Sequence, residues 1–352
     1  MTANSYPKIL LVCNQRIYDT YVAPEEVQRL EKFASLEWLP YEDDNNLDKE
    51  SRTAKFLESI SSVDGLIISH GSPIINSEIM DAASKLKIIG ELEDDRFANR
   101  VDLEAAWKRN ICTVDTTNGS SYPVSEWALA LILISLRNAG AQFRRIIAGH
   151  TKMDPDAFKY AGGLLVRKRV GLIGCGHMGR RLMKYLQPFE TEIWVYDPYL
   201  PREMAESLGF LQTSLENILS KCQVIVCLAP LTPKTRGMIG KNELNRIPSG
   251  AVLVNVSRGA IINSEALIER LKRGDIIAGL DVFDPEPIPP DSEILHLPNV
   301  FITPHFAYFT GNQYRESFGL MVDELDRFFH DHETFFDLTS RSLANRRGID
   351  SD

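Results

Sequence analysis

Arg169-Val-Gly-Leu-Ile-Gly174-Cys175-Gly176-His177-Met178-Gly179 places a short β-branched strand directly before a glycine fingerprint, and the helical run Arg180 to Leu186 follows it. In this G-x-G-x-x-G spacing the first glycine permits a tight turn and the second lets backbone approach a diphosphate. The third lets the helix pack close to the strand. The diphosphate would rest on free N–H groups at the helix N-terminus, where the dipole favours an anion. The next strand ends in Asp197, eighteen residues past Gly179, where a carboxylate can accept from a ribose 2′-hydroxyl. It would repel a 2′-phosphate, so NAD(H) is expected over NADP(H), with Arg202 close enough to soften the preference. Alone, Asp197 also reads as a solvated turn residue before Pro198; the βαβ context is what favours nucleotide binding.

Working outward, short apolar runs alternate with helical patterns along most of the chain. Upstream, strands are expected at Ile9–Cys13, Gly65–Ser69, Lys87–Leu92 and Ile111–Val114, with helices such as Ala23–Phe33 and Leu103–Arg109 between them. Downstream, six more are expected: Val170–Gly174, Glu192–Asp197, Val224–Leu228, Ala251–Val256, Ile277–Val282 and Val300–Thr303. This rhythm predicts an α/β protein with two doubly wound parallel sheets. Two long apolar helical patterns, Tyr122–Asn138 and Gln313–His330, flank the second series. If they cross between domains, residues 118–307 form a nucleotide domain inserted into a domain made of residues 1–117 and 308–352. The first sheet opens into Cys13-Asn14-Gln15-Arg16 without a glycine fingerprint, so one nucleotide site is expected.

A chain of 352 residues with 44% hydrophobic and 25% charged residues is long enough for two such cores. Its net charge of −9 supplies no broad basic face for nucleic acid. The five cysteines (Cys13, Cys112, Cys175, Cys222 and Cys227) are scattered, form no metal-type or disulfide pattern, and suit a reducing cytoplasm. No signal-peptide pattern opens the sequence, and the longest apolar run, Ala128 to Leu136, is too short to span a bilayer. Neither a metal site nor a membrane or nucleic-acid partner is expected.

Candidate chemistry follows three late strands: Asn255-Val256-Ser257-Arg258-Gly259, Asp281-Val-Phe-Asp-Pro-Glu286-Pro287 and Thr303-Pro304-His305. In an open parallel sheet the carboxyl ends of the strands border the ligand crevice. A histidine can move the proton that accompanies a hydride, a neighbouring carboxylate can hold its ring, and an arginine fork can bind a carboxylate and polarise a carbonyl. Any one of these residues could instead cap a turn. It is their combination that points to redox chemistry.

From about Lys87 to Ala307 the sequence resembles the D-isomer-specific 2-hydroxyacid dehydrogenase family. The likeness is carried by Gly171–Gly179, Ala229-Pro-Leu-Thr-Pro-Lys-Thr-Arg-Gly237, Asn255–Gly259, Asp281–Pro287 and Thr303-Pro-His-Phe-Ala307. The resemblance implies a Rossmann NAD-binding domain inserted into a flavodoxin-like substrate (lid) domain. It also implies homodimerisation through the nucleotide domain, closure over substrate, and a small 2-oxo or 2-hydroxy acid as partner. His305 would be the general acid/base, Glu286 its carboxylate partner, and Arg258 the substrate-binding cation. Gly174, Gly176, His177, Met178, Gly179, Asp197, Pro230, Thr235 and Val256 would line the cofactor, with Asp281 near the nicotinamide carboxamide.

One stretch departs from the family pattern. Where a glycine-containing loop usually binds the substrate carboxylate, this chain reads Gly90-Glu-Leu-Glu-Asp-Asp-Arg-Phe-Ala-Asn-Arg-Val-Asp102. If Glu91, Glu93, Asp94 and Asp95 face the pocket they would repel a highly charged anion, with Arg96 as a substitute cation. Glu93, Asp94 and Asp95 read equally as a solvated face. His70, after an earlier strand of the same sheet, could border the pocket or simply form a turn. Two functions compete: a dehydrogenase interconverting a 2-oxo acid and a D-2-hydroxy acid, and an NAD(H)-sensing binding protein resembling the family's transcriptional corepressors.

Overall fold

A computed structural model describes residues 6–41, 49–69, 71–92, 100–116, 119, 121–153, 162–311, 313–340 and 343. The chain divides into two compact units, Met1–Ser120 with Thr310–Ala344, and Ser121–Phe309.

The first unit is built on β1 (Lys8–Cys13), β2 (Ser35–Pro40), β3 (Gly65–Ile68), β4 (Ile88–Glu91) and β5 (Cys112–Asp115). All pairs are parallel, in the order β2-β1-β3-β4-β5, the flavodoxin-like arrangement. Alternate residues of one strand serve opposite cores. Leu10 and Val12 pack with Phe56, Ile60 and Leu66, whereas Ile9 and Leu11 pack with Phe318, Met321 and Val322 of the helix Gln313–Phe329. That helix passes so near the sheet that a Cβ at Gly90 would overlap the Met321 side chain. The strand β2 is absent from the sequence reading. Its Ser-Leu-Glu-Trp-Leu-Pro run is only half-buried, and it exists as an edge strand by pairing with β1 from Lys8↔Ser35 to Cys13↔Pro40.

The second unit holds β6 (Arg169–Ile173), β7 (Glu192–Tyr196), β8 (Leu211–Gln212), β9 (Val224–Cys227), β10 (Val252–Asn255), β11 (Ile277–Leu280) and β12 (Val300–Ile302). The order β12-β11-β10-β9-β6-β7-β8, again parallel throughout, is the doubly wound Rossmann order with a seventh strand. The two-residue β8 is the strand that a six-strand reading misses. The helix Ser121–Leu136 packs on β10 and β11, and Gly279 of β11 makes room for it: a Cβ there would lie 2.7 Å from Ser135 Oγ. No helix among the described residues is long and apolar enough to cross a membrane.

All five cysteines are free; Cys13, Cys112 and Cys227 lie in strands, while Cys175 sits in the glycine turn and Cys222 closes the helix Leu215–Lys221. Burial pushes the Cys13, Cys222 and Cys227 thiols up to about 12 and Cys175 to about 11, so they stay protonated and act as small apolar side chains.

Glu324 of the helix Gln313–Phe329 has no exposed surface and accepts from the Phe335 and Phe336 N–H groups at 2.8 and 2.9 Å. It thereby holds the returning chain, where Leu338 N donates to Thr113 O at 2.7 Å. Burial raises its carboxyl above the ordinary 4.5, against the opposing effect of the two N–H donors. A raised carboxyl makes a contribution to stability that is complete below the unfolded value and is lost as pH rises through the folded one. Glu324→Gln, which keeps an oxygen for both N–H groups, should therefore lose less stability than wild type between about pH 5 and about pH 8. Denaturant unfolding at the two pH values checks this.

Candidate active site

The glycine turn joins β6 to the helix His177–Leu186. The helix begins at His177, three residues before the Arg180 expected from periodicity, so His177, Met178 and Gly179 form its first turn. Each glycine has a distinct reason to lack a side chain. Gly174 has φ +92° and a Cβ there would lie 2.8 Å from Ala229 N, at the start of the loop after β9; a Cβ at Gly179 would lie 2.9 Å from Gly174 O. A Cβ at Gly176 would meet nothing within 4 Å. Gly176 therefore borders open space at a ten-residue helix that no side chain caps, the setting in which free N–H groups take a diphosphate. The residues present fit a dinucleotide.

Asp197, just past β7, is tied to this turn. Its Oδ2 accepts from Cys175 N at 2.9 Å and its Oδ1 from Tyr199 N at 3.0 Å. After β9, the Thr235 hydroxyl donates to Pro230 O at 2.6 Å and accepts from Thr232 N at 2.8 Å, which folds the loop back on itself.

The next three strands are neighbours, and each is followed by candidate chemistry. After β10, Val256 is buried, and Arg258 Nη1 donates to Ser257 O at 2.9 Å. A Cβ at Gly259 would overlap the Phe283 backbone, so the loop carrying Arg258 touches the loop leading to Glu286. After β12 comes His305, whose Nδ1 lies 3.0 Å from Glu286 Oε1 with both side chains more than a third exposed. The histidine and the glutamate are thus paired, with the other ring nitrogen, Nε2, left for chemistry. A cavity of 620 Å³ is lined by Gly259 and Pro285, chain neighbours of Arg258 and Glu286, but by none of Arg258, Glu286 and His305.

Sequence reasoning did not foresee how Asp281 is used. It has no exposed surface, and its carboxylate accepts from the Thr303 hydroxyl at 2.6 Å, Phe306 N at 3.1 Å and Ala307 N at 3.0 Å. The Thr-Pro-His motif gave a place for Thr303, but not a partner on another strand.

In the first unit, His70, Glu93, Asp94, Asp95 and Arg96 lie outside the described residues. Glu91 is described. It ends β4, is fully buried, and has Arg100 Nε at 3.6 Å from its Oε1, so it is charge-compensated within its own unit.

A glycine turn at a helix start, an acid after the next strand and a parallel Rossmann sheet together define a dinucleotide-binding α/β protein. Residues 129–307 match the description "D-isomer specific 2-hydroxyacid dehydrogenase, NAD binding domain". The chain is 35% identical over 253 residues to a D-3-phosphoglycerate dehydrogenase of Methanocaldococcus jannaschii, covering 71% of this chain and 47% of that protein. It is 31% identical over 252 residues to a glyoxylate reductase of Korarchaeum cryptofilum, covering 71% and 75%. A phosphoglycerate oxidoreductase structure from Rhizobium etli superposes with a TM-score of 0.80 at 22% identity, covering 94% of this chain and 98% of that one. The chain therefore belongs to the D-isomer-specific 2-hydroxyacid dehydrogenase family, and its second unit carries that family's NAD-binding domain. It spans about half the length of the phosphoglycerate dehydrogenases it matches.

The glycines separate folding from binding. Gly174→Ala should destabilise the second unit by about 2 kcal/mol, from strain and the Ala229 contact together. Gly176→Ala should leave stability within about 0.5 kcal/mol of wild type yet weaken NADH binding about tenfold or more, because its methyl group enters the space kept for the diphosphate. Thermal unfolding and NADH fluorescence titration, run on both variants, check the contrast.

Proposed function

We propose that this protein interconverts a 2-oxo acid and a D-2-hydroxy acid with NAD(H). The observation that carries the reading is the His305–Glu286 pair at 3.0 Å, one strand from the loop of Arg258, in an NAD-binding domain of this family. Bound NADH supplies the hydride that reduces C2 of the oxo acid. Arg258 binds the substrate carboxylate and polarises the 2-oxo group through its fork of N–H donors. His305 gives a proton from Nε2 to the oxygen as the hydride arrives, and takes it back in the oxidative direction. Glu286 accepts from Nδ1–H, which fixes the tautomer and favours the imidazolium in the reductive direction. Gly174, Gly176, His177, Met178 and Gly179 cradle the diphosphate, Asp197 takes the adenosine ribose, and Pro230, Thr235 and Val256 line the cofactor. The dehydrogenase and reductase relatives do not favour the cofactor-sensing alternative.

The test is NADH consumption against glyoxylate, pyruvate, hydroxypyruvate, phosphohydroxypyruvate and bulkier 2-oxo acids. His305→Ala should lower kcat about a thousandfold while leaving NADH affinity near wild type. Arg258→Ala should raise the KM for the oxo acid about tenfold or more as well as lowering kcat. The assignment falls if His305→Ala keeps full turnover. Comparable turnover of hydroxypyruvate and its phosphate ester would remove any role in selectivity for the acidic Glu93–Asp95 run.

The same reading includes a homodimer formed through the second unit. On the helix Ala139–Ile147, Phe143, Ile146 and Ile147 are 65%, 53% and 72% exposed. Their i, i+3, i+4 spacing puts them on one face, and exposed Leu164 and Val166 add to the apolar surface of this unit. An uncovered patch of this kind marks an interface. Phe143→Glu combined with Ile147→Glu should convert a dimer to a monomer by analytical ultracentrifugation, with the circular dichroism spectrum unchanged.

A further inference from the structure

His305 is held in an unusual backbone conformation, φ +53°, which a residue with a Cβ keeps only where its surroundings enforce it. The enforcement comes from Asp281. His305 N donates to the Asp281 carbonyl at 2.8 Å, and the next two N–H groups, of Phe306 and Ala307, go to separate oxygens of the Asp281 carboxylate. Both ends of the Asp281 residue thus grip the turn. The grip is directional only if the carboxylate plane is fixed, and the third donor that fixes it is the Thr303 hydroxyl at 2.6 Å. The direction of that hydroxyl proton is itself set. Trp127, on the helix Ser121–Leu136, points its indole N–H at Thr303 Oγ1 at 3.4 Å, so the oxygen accepts from the indole and its proton is left for Asp281. The same indole meets the Phe306 ring edge-on, with centroids 4.9 Å apart.

We infer that Thr303 is a positioning residue for the proton-transfer step. Its hydroxyl fixes the Asp281 carboxylate, which fixes the 305–307 turn, which aims the His305 ring at Glu286. Thr303 touches neither substrate nor cofactor in this scheme, and Trp127 orients its hydroxyl from a second element. The inference rests on the proposed role of His305 as the acid/base.

Thr303→Val keeps the shape and removes the hydroxyl; Thr303→Ser keeps the hydroxyl and removes a methyl group. In Val, kcat should fall about tenfold or more while the oxo-acid KM and the NADH Kd change less than about twofold, because misaiming one catalytic group costs rate rather than binding. Ser should recover most of the rate. Trp127→Phe, which keeps a ring against Phe306 and loses the indole N–H, should reduce kcat in the same direction by a smaller factor. A readout independent of turnover is the low-field proton resonance of the His305 Nδ1–H bonded to Glu286, identified by its loss in His305→Ala. It should be present in wild type and Ser and shifted or broadened in Val.

Full kcat in a folded Val variant with an unchanged resonance would overturn the inference, as would equal losses in Val and Ser. If His305→Ala is inactive while Val is fully active, the role of Thr303 alone fails. If His305→Ala is itself active, the reading of the site fails and the inference falls with it. Should Val not fold, the Trp127→Phe and Ser pair decides: wild-type kcat and an unmoved resonance in Trp127→Phe would sink the scheme.

Discussion

Seven strands running in one direction are the constraint from which the nucleotide-binding unit follows. Its four central strands β6, β9, β10 and β11 are mostly aliphatic and almost wholly buried, so polar groups that must reach a ligand are confined to the strand ends. Parallel pairing puts all the carboxyl ends on one edge. Gly174 follows β6, Asp197 follows β7, Pro230 follows β9, Arg258 follows β10, Asp281 follows β11 and His305 follows β12. The chain order reverses between β6 and β9, and a crevice opens at such a reversal. Gly174 and Ala229 come into contact at this point, which is why a Cβ at Gly174 has no room.

Just past β11 and β12, regular backbone gives way and polar groups go inside. The left-handed conformation of His305 costs on the order of 1 kcal/mol, and burying the Asp281 carboxylate would cost several more without partners. The two costs are met by one arrangement. The N–H groups that the turn leaves without helix or strand partners are the donors the buried carboxylate requires. Remove the carboxylate and three donors lose their acceptor; remove the turn and a buried charge loses its solvation. This mutual dependence makes the position of His305 a property of β11 as much as of β12.

The sequence carries the parts of this arrangement that are local. A glycine turn after an aliphatic run, an acid eighteen residues on, and Arg258, Glu286 and His305 in ordered motifs are all readable because each is set by its own neighbours. What is not readable depends on partners far along the chain. The Ser35–Pro40 strand has too little apolar character to declare itself and is made by its ladder to β1. The two-residue β8 is too short to have a period at all. Thr303 and Asp281 stand 22 residues apart, each just past one of two adjacent strands, so their bond exists only once β11 and β12 are in register. Cys175 sits in the most suggestive motif of the chain, and its complete burial, which pushes the thiol up to about 11, is visible only in the fold.

The acidic stretch after β4 shows how structure divides a charge count. By sequence, Glu91, Glu93, Asp94 and Asp95 form one run of four carboxylates where the family pattern has a glycine-containing loop. Glu91 faces into the first unit, where Arg100 compensates it, and Thr116 Oγ1 donates to its backbone carbonyl at 3.1 Å. A buried carboxylate that lost such a cation would destabilise its surroundings by about 3–5 kcal/mol, so Glu91 and Arg100 are bound to each other's presence. Ile75 N in turn donates to the Arg100 backbone carbonyl at 2.7 Å, and Ile75 pairs with Val101. The pair therefore ties the end of β4 to the segment Arg100–Val101. Its charge belongs to the scaffold of the first unit.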